Sequence, residues 1–229
     1  MARGILYGVG VGPGDPELLT LKAKRIITEA DVIAVPDKGS GERTALKIAS
    51  SLVEGKPLLL CAAPMVRDQA QLEAAYRRNA EQVIAYLEQG KTVAFLTLGD
   101  PSIYSTYLYT HRLVAEAGYE TQIIPGVPSF CAVAAALGGG LCEGSDRLLI
   151  VPASHRDMED CLSVDANLVF MKAGREIGKL REALAEHRLL GCASLVENCG
   201  MEGERVFPQF ADAEDSGYFS VVVVKRDGK

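Results

Sequence analysis

The sequence predicts an α/β fold in two domains, and three observations carry that prediction. Short, nearly continuous runs of Val, Ile, Leu and Ala alternate with longer segments of helical apolar spacing, the pattern of a mostly parallel sheet covered by helices. The segment Pro125-Gly126-Val127-Pro128 interrupts that alternation just past mid-chain. At 229 residues, 48% of them hydrophobic, the chain suffices for one large domain or two small ones and can bury a full core.

Taken in order, Ile5–Val11 reads as a buried strand ending in glycines. Pro16–Glu29 follows as a helix, with Leu18, Leu19, Leu21 and Ile26 expected on one face. Asp31–Val35 is a second strand, closed by Pro36; Thr44–Val53 is helical and Pro57–Cys61 a short strand. Gln69–Gln89 is a long amphipathic helix stopped by Gly90. Thr92–Leu98 runs as a buried strand into Gly99-Asp100-Pro101, Tyr104–Glu116 is helix, and Glu120–Ile124 is the fifth strand. Beyond the linker come a small-residue helix at Ser129–Leu137, broken by three glycines, and strands at Leu148–Val151, Asn167–Met171, Ala193–Glu197 and Phe219–Lys225. A helix at Glu176–Arg188 lies among them. The expected domains are 1–125 and 126–229.

Composition excludes several classes. Lys and Arg number 24 against 30 Asp and Glu, a net charge of −6 that disfavours nucleic acid as the main partner. The six cysteines have neither Cys-x-x-Cys nor zinc-like spacing, so buried thiols in a reducing compartment are expected, with no metal site. No run approaches the ~20 apolar residues of a membrane helix, and the N-terminal run is too short for a signal peptide. A soluble cytoplasmic protein is expected.

Four segments concentrate glycine, proline and acidic residues where a strand ends: Gly8-Val9-Gly10-Val11-Gly12-Pro13-Gly14-Asp15, Leu98-Gly99-Asp100-Pro101-Ser102-Ile103-Tyr104, Ile124-Pro125-Gly126-Val127-Pro128-Ser129-Phe130, and Glu197-Asn198-Cys199-Gly200. Glycines let backbone N–H groups approach a ligand without Cβ atoms in the way. The first loop fails the dinucleotide pattern, because Pro13 or Asp15 fills the third glycine slot, and it lacks the Gly-Lys-Ser/Thr of a P-loop. Alone, each segment is equally a turn or a helix cap, Asp100 being a candidate cap for the helix after it. Together, two Gly-Asp turns on one sheet edge mark the usual ligand-binding end of an α/β sheet.

In combination the four segments resemble the tetrapyrrole methylase family along the whole chain. The strings GVGVGPGDPELLTLKA and LTLGDPSIYSTY are similar to the branch that methylates C20 of precorrin-2 or cobalt-factor II. The resemblance implies two αβα domains with a ligand cleft between them, S-adenosylmethionine as methyl donor, a tetrapyrrole substrate and a homodimer. It assigns donor binding to Pro13, Leu98, Gly99, Asp100, Ile103, Pro128, Ser129 and the adjacent Phe130. In the second domain it points to Met171 or Lys172, and to Cys199, where many relatives have glycine, with Gly200.

The substrate-side candidates are Gly12, Asp15, Lys38 and Arg43, with Arg67, Arg147, Arg156, Lys172 and Arg175 as further cations for a substrate rich in carboxylates. Relatives place a proton-accepting Asp just after the second strand; here Pro36 fills that slot and Asp37 follows. Asp37 and Tyr104 are the candidate acid–base groups. Methyl transfer from a sulfonium is an in-line displacement from an already activated donor, so alignment carries most of the expected catalysis. The scattered His111, His155 and His187 are read as non-catalytic. Methylation of another corrin position, of ribosomal RNA or of diphthamide, and a non-catalytic nucleotide-binding protein, are the alternatives.

Overall fold

Strands β1 (Ile5–Gly10), β2 (Val32–Asp37), β3 (Leu58–Ala62), β4 (Val93–Thr97) and β5 (Glu120–Ile124) form an all-parallel sheet in the order β3-β2-β4-β1-β5. The computed structural model describes residues 4–39, 43–66, 68–154, 158–213 and 217–226, in two compact units divided between Pro128 and Ser129. In the first unit both sheet faces are covered, which is why its inner strands carry apolar residues at successive positions. Helices α1 (Leu21–Glu29) and α2 (Thr44–Ile48) bury Ile26, Ile27 and Ile48 with Val9, Ile33, Val35 and Leu96. On the other face, α3 (Gln69–Leu87) and α4 (Tyr107–Glu116) bury Val83, Leu87, Tyr107 and Val114 with Leu6, Val32 and Phe95. Adjacent β1 and β4 therefore lead to helices on opposite faces, and a crevice opens at their carboxyl ends.

Two expected helices start later than their patterns suggest. Pro16–Leu18 is a 3-10 turn, and Leu19 is extended. Thr20 then caps a new helix by accepting the Ala23 amide at 3.1 Å. The break resets the helical phase, so Leu21 is 88% exposed rather than on the core face, which Ala23, Ile26 and Ile27 form instead. The helix expected from Tyr104 begins at Tyr107, because Tyr104 has a left-handed backbone (φ +48°) that no α-helix accommodates. The helix expected at Thr44–Val53 stops at Ile48 and continues as a 3-10 turn at Ser50–Leu52.

Tyr107 anchors α4. Its ring lies where a Cβ on Gly8 would sit, and its hydroxyl is 2.9 Å from Nδ1 of His111, whose Nε2 is 3.4 Å from the Thr121 hydroxyl. Burial first, then the charge of Arg112, holds the His111 imidazolium below its usual pKa. The unfolded chain therefore takes up this proton at higher pH than the folded one. Stability is lost as pH falls from roughly 6.5 through the folded value. In denaturation midpoints measured from neutral to mildly acidic pH, His111→Gln is expected to show a shallower decline than the wild type; equal slopes would refute the linkage.

The second unit comprises α5 (Ser129–Ala136), β6 (Leu148–Pro152), α6 (Met158–Leu162), β7 (Asn167–Met171), α7 (Ile177–Glu186), β8 (Ala193–Glu197), β9 (Arg205–Phe207) and β10 (Ser220–Val224). Its sheet order is β6-β7-β10-β8-β9, with β6 and β7 parallel and the other pairs antiparallel. Because β10 opposes both neighbours, β7 and β8 run the same way and their carboxyl ends flank the start of β10. Phe170, Leu180, Leu184, Leu195, Phe210 and Val222 fill its core. Neither β9 nor α6 is predicted: β9 is a three-residue edge strand with Arg205 and Val206 exposed, too short to show alternation.

The described cysteines form no disulfide. Cys61 and Cys199 are buried, but Cys131 and Cys142 are exposed, so the expectation of buried thiols holds for only part of the set. Burial pushes the Cys61 thiol up to about 12. Among the described residues no helix is long and apolar enough to cross a membrane.

Candidate active site

Three loops meet at the carboxyl ends of the neighbouring strands β4, β1 and β5. Gly12 and Gly99 form an isolated bridge: Gly99 N–H donates to Gly12 O at 2.7 Å and Gly12 N–H to Gly99 O at 3.3 Å. Both glycines have left-handed backbones, φ +79° and +69°, a conformation that side chains with a Cβ rarely adopt. Gly10 and Gly126 lack a Cβ for a different reason. One built on Gly126 would lie 2.3 Å from Gly99 O, and one on Gly10 would lie 2.6 Å from Gly126 N. At these two positions the missing side chain lets loop pack on loop, where the sequence suggested only room for a ligand.

Asp100 locks the arrangement. Its Oδ1 accepts the Ser102 amide at 2.8 Å and the Ser102 hydroxyl, and its Oδ2 accepts the Gly126 amide at 3.0 Å. Only 9% exposed, it caps a turn and the linker rather than the next helix, as the cap reading had supposed; that helix has Thr106 at its N-cap. From the far side Thr20, the α1 cap, donates its hydroxyl to Pro125 O at 3.4 Å. Leu98, Ile103 and Pro128 lie in the same loops, partly exposed, beside buried Gly12 and Pro13. Asp15 is engaged locally, Oδ1 accepting the Glu17 amide at 2.8 Å as the cap of the 3-10 turn.

Further along the same edge, Asp37 ends β2. Its Oδ1 accepts the Gly39 amide at 3.1 Å, and its Oδ2 lies 3.8 Å from an Arg43 guanidinium nitrogen. The pair is partly exposed, and Lys38 between them in sequence is exposed. Tyr104 stands in the turn after the β4 loop, 45% exposed. Arg67, Arg156 and His155, and the side chain of Arg175, lie outside the described residues. His187 ends α7, exposed.

In the second unit, Met171 ends β7 and exposed Lys172 follows in a left-handed conformation, φ +58°. At the end of β8, Asn198 is also left-handed (φ +49°), with buried Cys199 and then Gly200, whose amide donates to Glu204 at 2.6 Å. Tyr104, Lys172 and Asn198 are three of the four described non-glycine residues with positive φ; Lys172 and Asn198 each immediately follow a strand's carboxyl end, and Tyr104 ends the loop after β4, positions where such strain collects at functional sites. Burial, then Glu204, raises the Cys199 thiol to about 11. Ser129 and Phe130 open α5, Phe130 buried. Arg147 immediately precedes β6 and so belongs to the opposite edge, removed from Lys172 by the length of a strand.

Glu197, not singled out from the sequence as a site residue, organises the turn that follows it. Only 1% exposed, it accepts from Arg205 Nε at 2.6 Å, from the Gly217 amide at 2.8 Å and from the Ser220 hydroxyl at 3.4 Å. A carboxylate following directly on the apolar pair Leu195-Val196 at the end of a strand was the available signal.

The three-loop edge also has a telling charge. Residues 10–15, 97–103 and 124–129 contain two carboxylates, Asp15 and Asp100, and no Lys, Arg or His. A phosphate cradle of the P-loop kind carries a lysine, and these segments have none.

Comparison with known proteins places this architecture. A 34% identical relative, the probable cobalt-precorrin-2 C(20)-methyltransferase of Methanocaldococcus jannaschii, aligns over 96% of this chain and 96% of its own. The cobalamin biosynthesis protein CobIJ of Mycobacterium tuberculosis is 36% identical over 97% of this chain, which spans about half (46%) of that relative's length. The uroporphyrin-III C-methyl transferase of Thermus thermophilus, solved in complex with S-adenosyl homocysteine, shares the fold with a TM-score of 0.70 at 21% identity, over 96% of this chain and 97% of that one. The family model for Tetrapyrrole (Corrin/Porphyrin) Methylases matches residues 5–213, and the chain belongs to that family.

Proposed function

We propose that the protein transfers a methyl group from S-adenosylmethionine to C20 of precorrin-2 or of its cobalt-loaded relative, cobalt-factor II, in cobalamin biosynthesis. The carrying observation is the glycine-bridged edge of the first unit, built at the β1–β4 switch point and free of cationic side chains. Family membership and the named C(20)-methyltransferase relative support the choice of reaction.

When bound, the donor supplies an activated methyl on a positively charged sulfur. The chain's contribution is to hold and align. Pro13, Leu98, Gly99, Ile103 and Pro128 are the proposed donor residues of the first unit, with Asp100 in the loop that carries three of them, and Ser129, Phe130, Met171, Lys172, Cys199 and Gly200 those of the second. Gly12 and Asp15 lie on the substrate side. Fixing two reactants in line supplies on the order of 7–11 kcal/mol, enough to account for a site without a nucleophile–base pair. Asp37, held at the carboxyl end of β2 beside Arg43, and Tyr104 are the proposed candidate acid–base groups.

Lys38 and Arg43 are the proposed anchors for substrate carboxylates. Lys38→Glu is expected to raise the tetrapyrrole KM roughly tenfold at low salt and to flatten its salt dependence, with kcat nearly unchanged. An unaltered KM and salt slope would remove Lys38 from the site. The working form is proposed to be a cytoplasmic homodimer, which light scattering on the purified protein would check.

The reaction is tested by mass spectrometry of the tetrapyrrole after incubation with S-adenosylmethionine, in parallel on precorrin-2 and cobalt-factor II. One added methyl on either supports the reading, and the preferred substrate identifies the branch. No methyl on either, with S-adenosylhomocysteine still bound, would keep a methylase and refute the substrate.

A further inference from the structure

The linker after β5 has few ways to be held. Pro125 and Pro128 have no N–H, so between Ile124 and Ser129 only Gly126 and Val127 can donate a backbone hydrogen bond. Asp100 takes the first of these, while its other oxygen is occupied by Ser102 within the β4 loop. The same linker residue packs Cα against the Gly10 backbone so closely that no Cβ fits. One carboxylate thus spans two loops, and the loop of β1 is trapped between them.

We propose that Asp100 is a positioning residue. Its carboxylate does not contact the methyl donor; it staples the β4 loop to the linker and thereby sets the backbone surface on which the donor lies. The proposal rests on the reading that this edge binds the donor, and it departs from the residue-by-residue resemblance, which counts Asp100 among the donor's own contacts. A charged oxygen is the stronger acceptor for an amide that has no strand partner. The amide nitrogen that Asp100→Asn would place at one of the two positions has no lone pair to accept with.

The test measures two quantities on Asp100→Asn and on Ser102→Ala, a milder variant that keeps the carboxylate but loosens it. The first is hydrogen exchange of the Gly126 amide in ligand-free protein, read against Val127, its only exchanging neighbour in the linker. The second is S-adenosylhomocysteine affinity by calorimetry, with kcat at saturating donor. Expected for Asp100→Asn is at least tenfold faster Gly126 exchange and roughly 10–50-fold weaker donor binding (about 1.4–2.3 kcal/mol), with kcat at saturation within about threefold. Ser102→Ala should shift both in the same direction by a few-fold.

Weaker donor binding with Gly126 exchange unchanged would overturn the proposal and make Asp100 a direct contact. Faster exchange with unchanged affinity would overturn it from the other side. If the wild type binds no S-adenosylhomocysteine, the proposed function fails and takes the donor half of this inference with it, while the exchange arm still reports whether the staple exists. Should Asp100→Asn not fold, Ser102→Ala decides alone by whether the two quantities move together.

Discussion

Gly126→Ala is expected to abolish measurable S-adenosylhomocysteine binding and to lower the thermal midpoint by about 10 °C. The new methyl would lie 2.3 Å from Gly99 O and 2.8 Å from both Gly10 Cα and Gly10 C. All three are backbone atoms of strand ends, tied by the Gly12–Gly99 bridge and by the hydrogen bond from Val11 N–H to Thr97 O at 2.9 Å. A flexible side chain would swing aside; these groups can yield only if the loops separate. Overpacking of this kind costs about 1–3 kcal/mol, and rigid neighbours place the substitution at the upper end of that range. Separating the loops also dissolves the surface proposed for the donor, so stability and affinity fall together. Gly139→Ala is the control, with nothing within 4 Å of its added methyl and no positive φ, and should change stability by less than about 0.5 kcal/mol. A Gly126→Ala protein that melts like wild type and binds the donor would show that the loops can move apart at no cost.

This contrast shows where sequence reasoning reaches and where it stops. The three inner strands of the first unit, β1, β2 and β4, are readable because burial on both faces demands nearly unbroken apolar runs, and Leu6, Val9, Val32–Val35 and Val93–Leu96 satisfy that demand. The loops at their ends are readable because Gly, Pro and Asp cluster there for chemical reasons. The purpose of each residue within a loop is not readable. Gly10 and Gly12 look alike in sequence, yet one is required by a 2.6 Å backbone approach and the other by φ +79°. Asp100 looks like a helix cap or a ligand contact, and its partner is 26 positions away in the linker. Leu21 was misplaced because helical phase depends on where Thr20 restarts the helix, a choice made by one hydroxyl. Arg147 lies in a loop like the other cations, but strand direction, invisible until β6 is paired with β7, puts it at the sheet end opposite Lys172.

The same logic governs the second unit, where the largest effects are expected at Glu197 and at its cation Arg205. Glu197→Ala should destabilise the protein by about 2–3 kcal/mol and slow methyl transfer, because the carboxylate accepts from three elements at once. Arg205 is 54% exposed and keeps its hydration when Glu197 is removed, so its charge adds little to that cost. The cost falls instead on the Gly217 amide, which loses its acceptor, and on the turn Asn198–Gly200, which loses the anchor of its first neighbour. Glu197→Gln retains an acceptor oxygen for Gly217 and should lose about half as much. The reverse truncation is the informative one. Arg205→Ala leaves the Glu197 carboxylate without its cation but still accepting from Gly217 and Ser220, which places the cost at the lower end of the ~3–5 kcal/mol typical of a broken buried pair. The more exposed partner is therefore expected to be the more damaging to remove. Urea denaturation of the three variants orders them: Arg205→Ala least stable, then Glu197→Ala, then Glu197→Gln. If Arg205→Ala proved as stable as Glu197→Gln, Glu197 would be held by its backbone and hydroxyl donors alone, and the guanidinium would be an ordinary surface group.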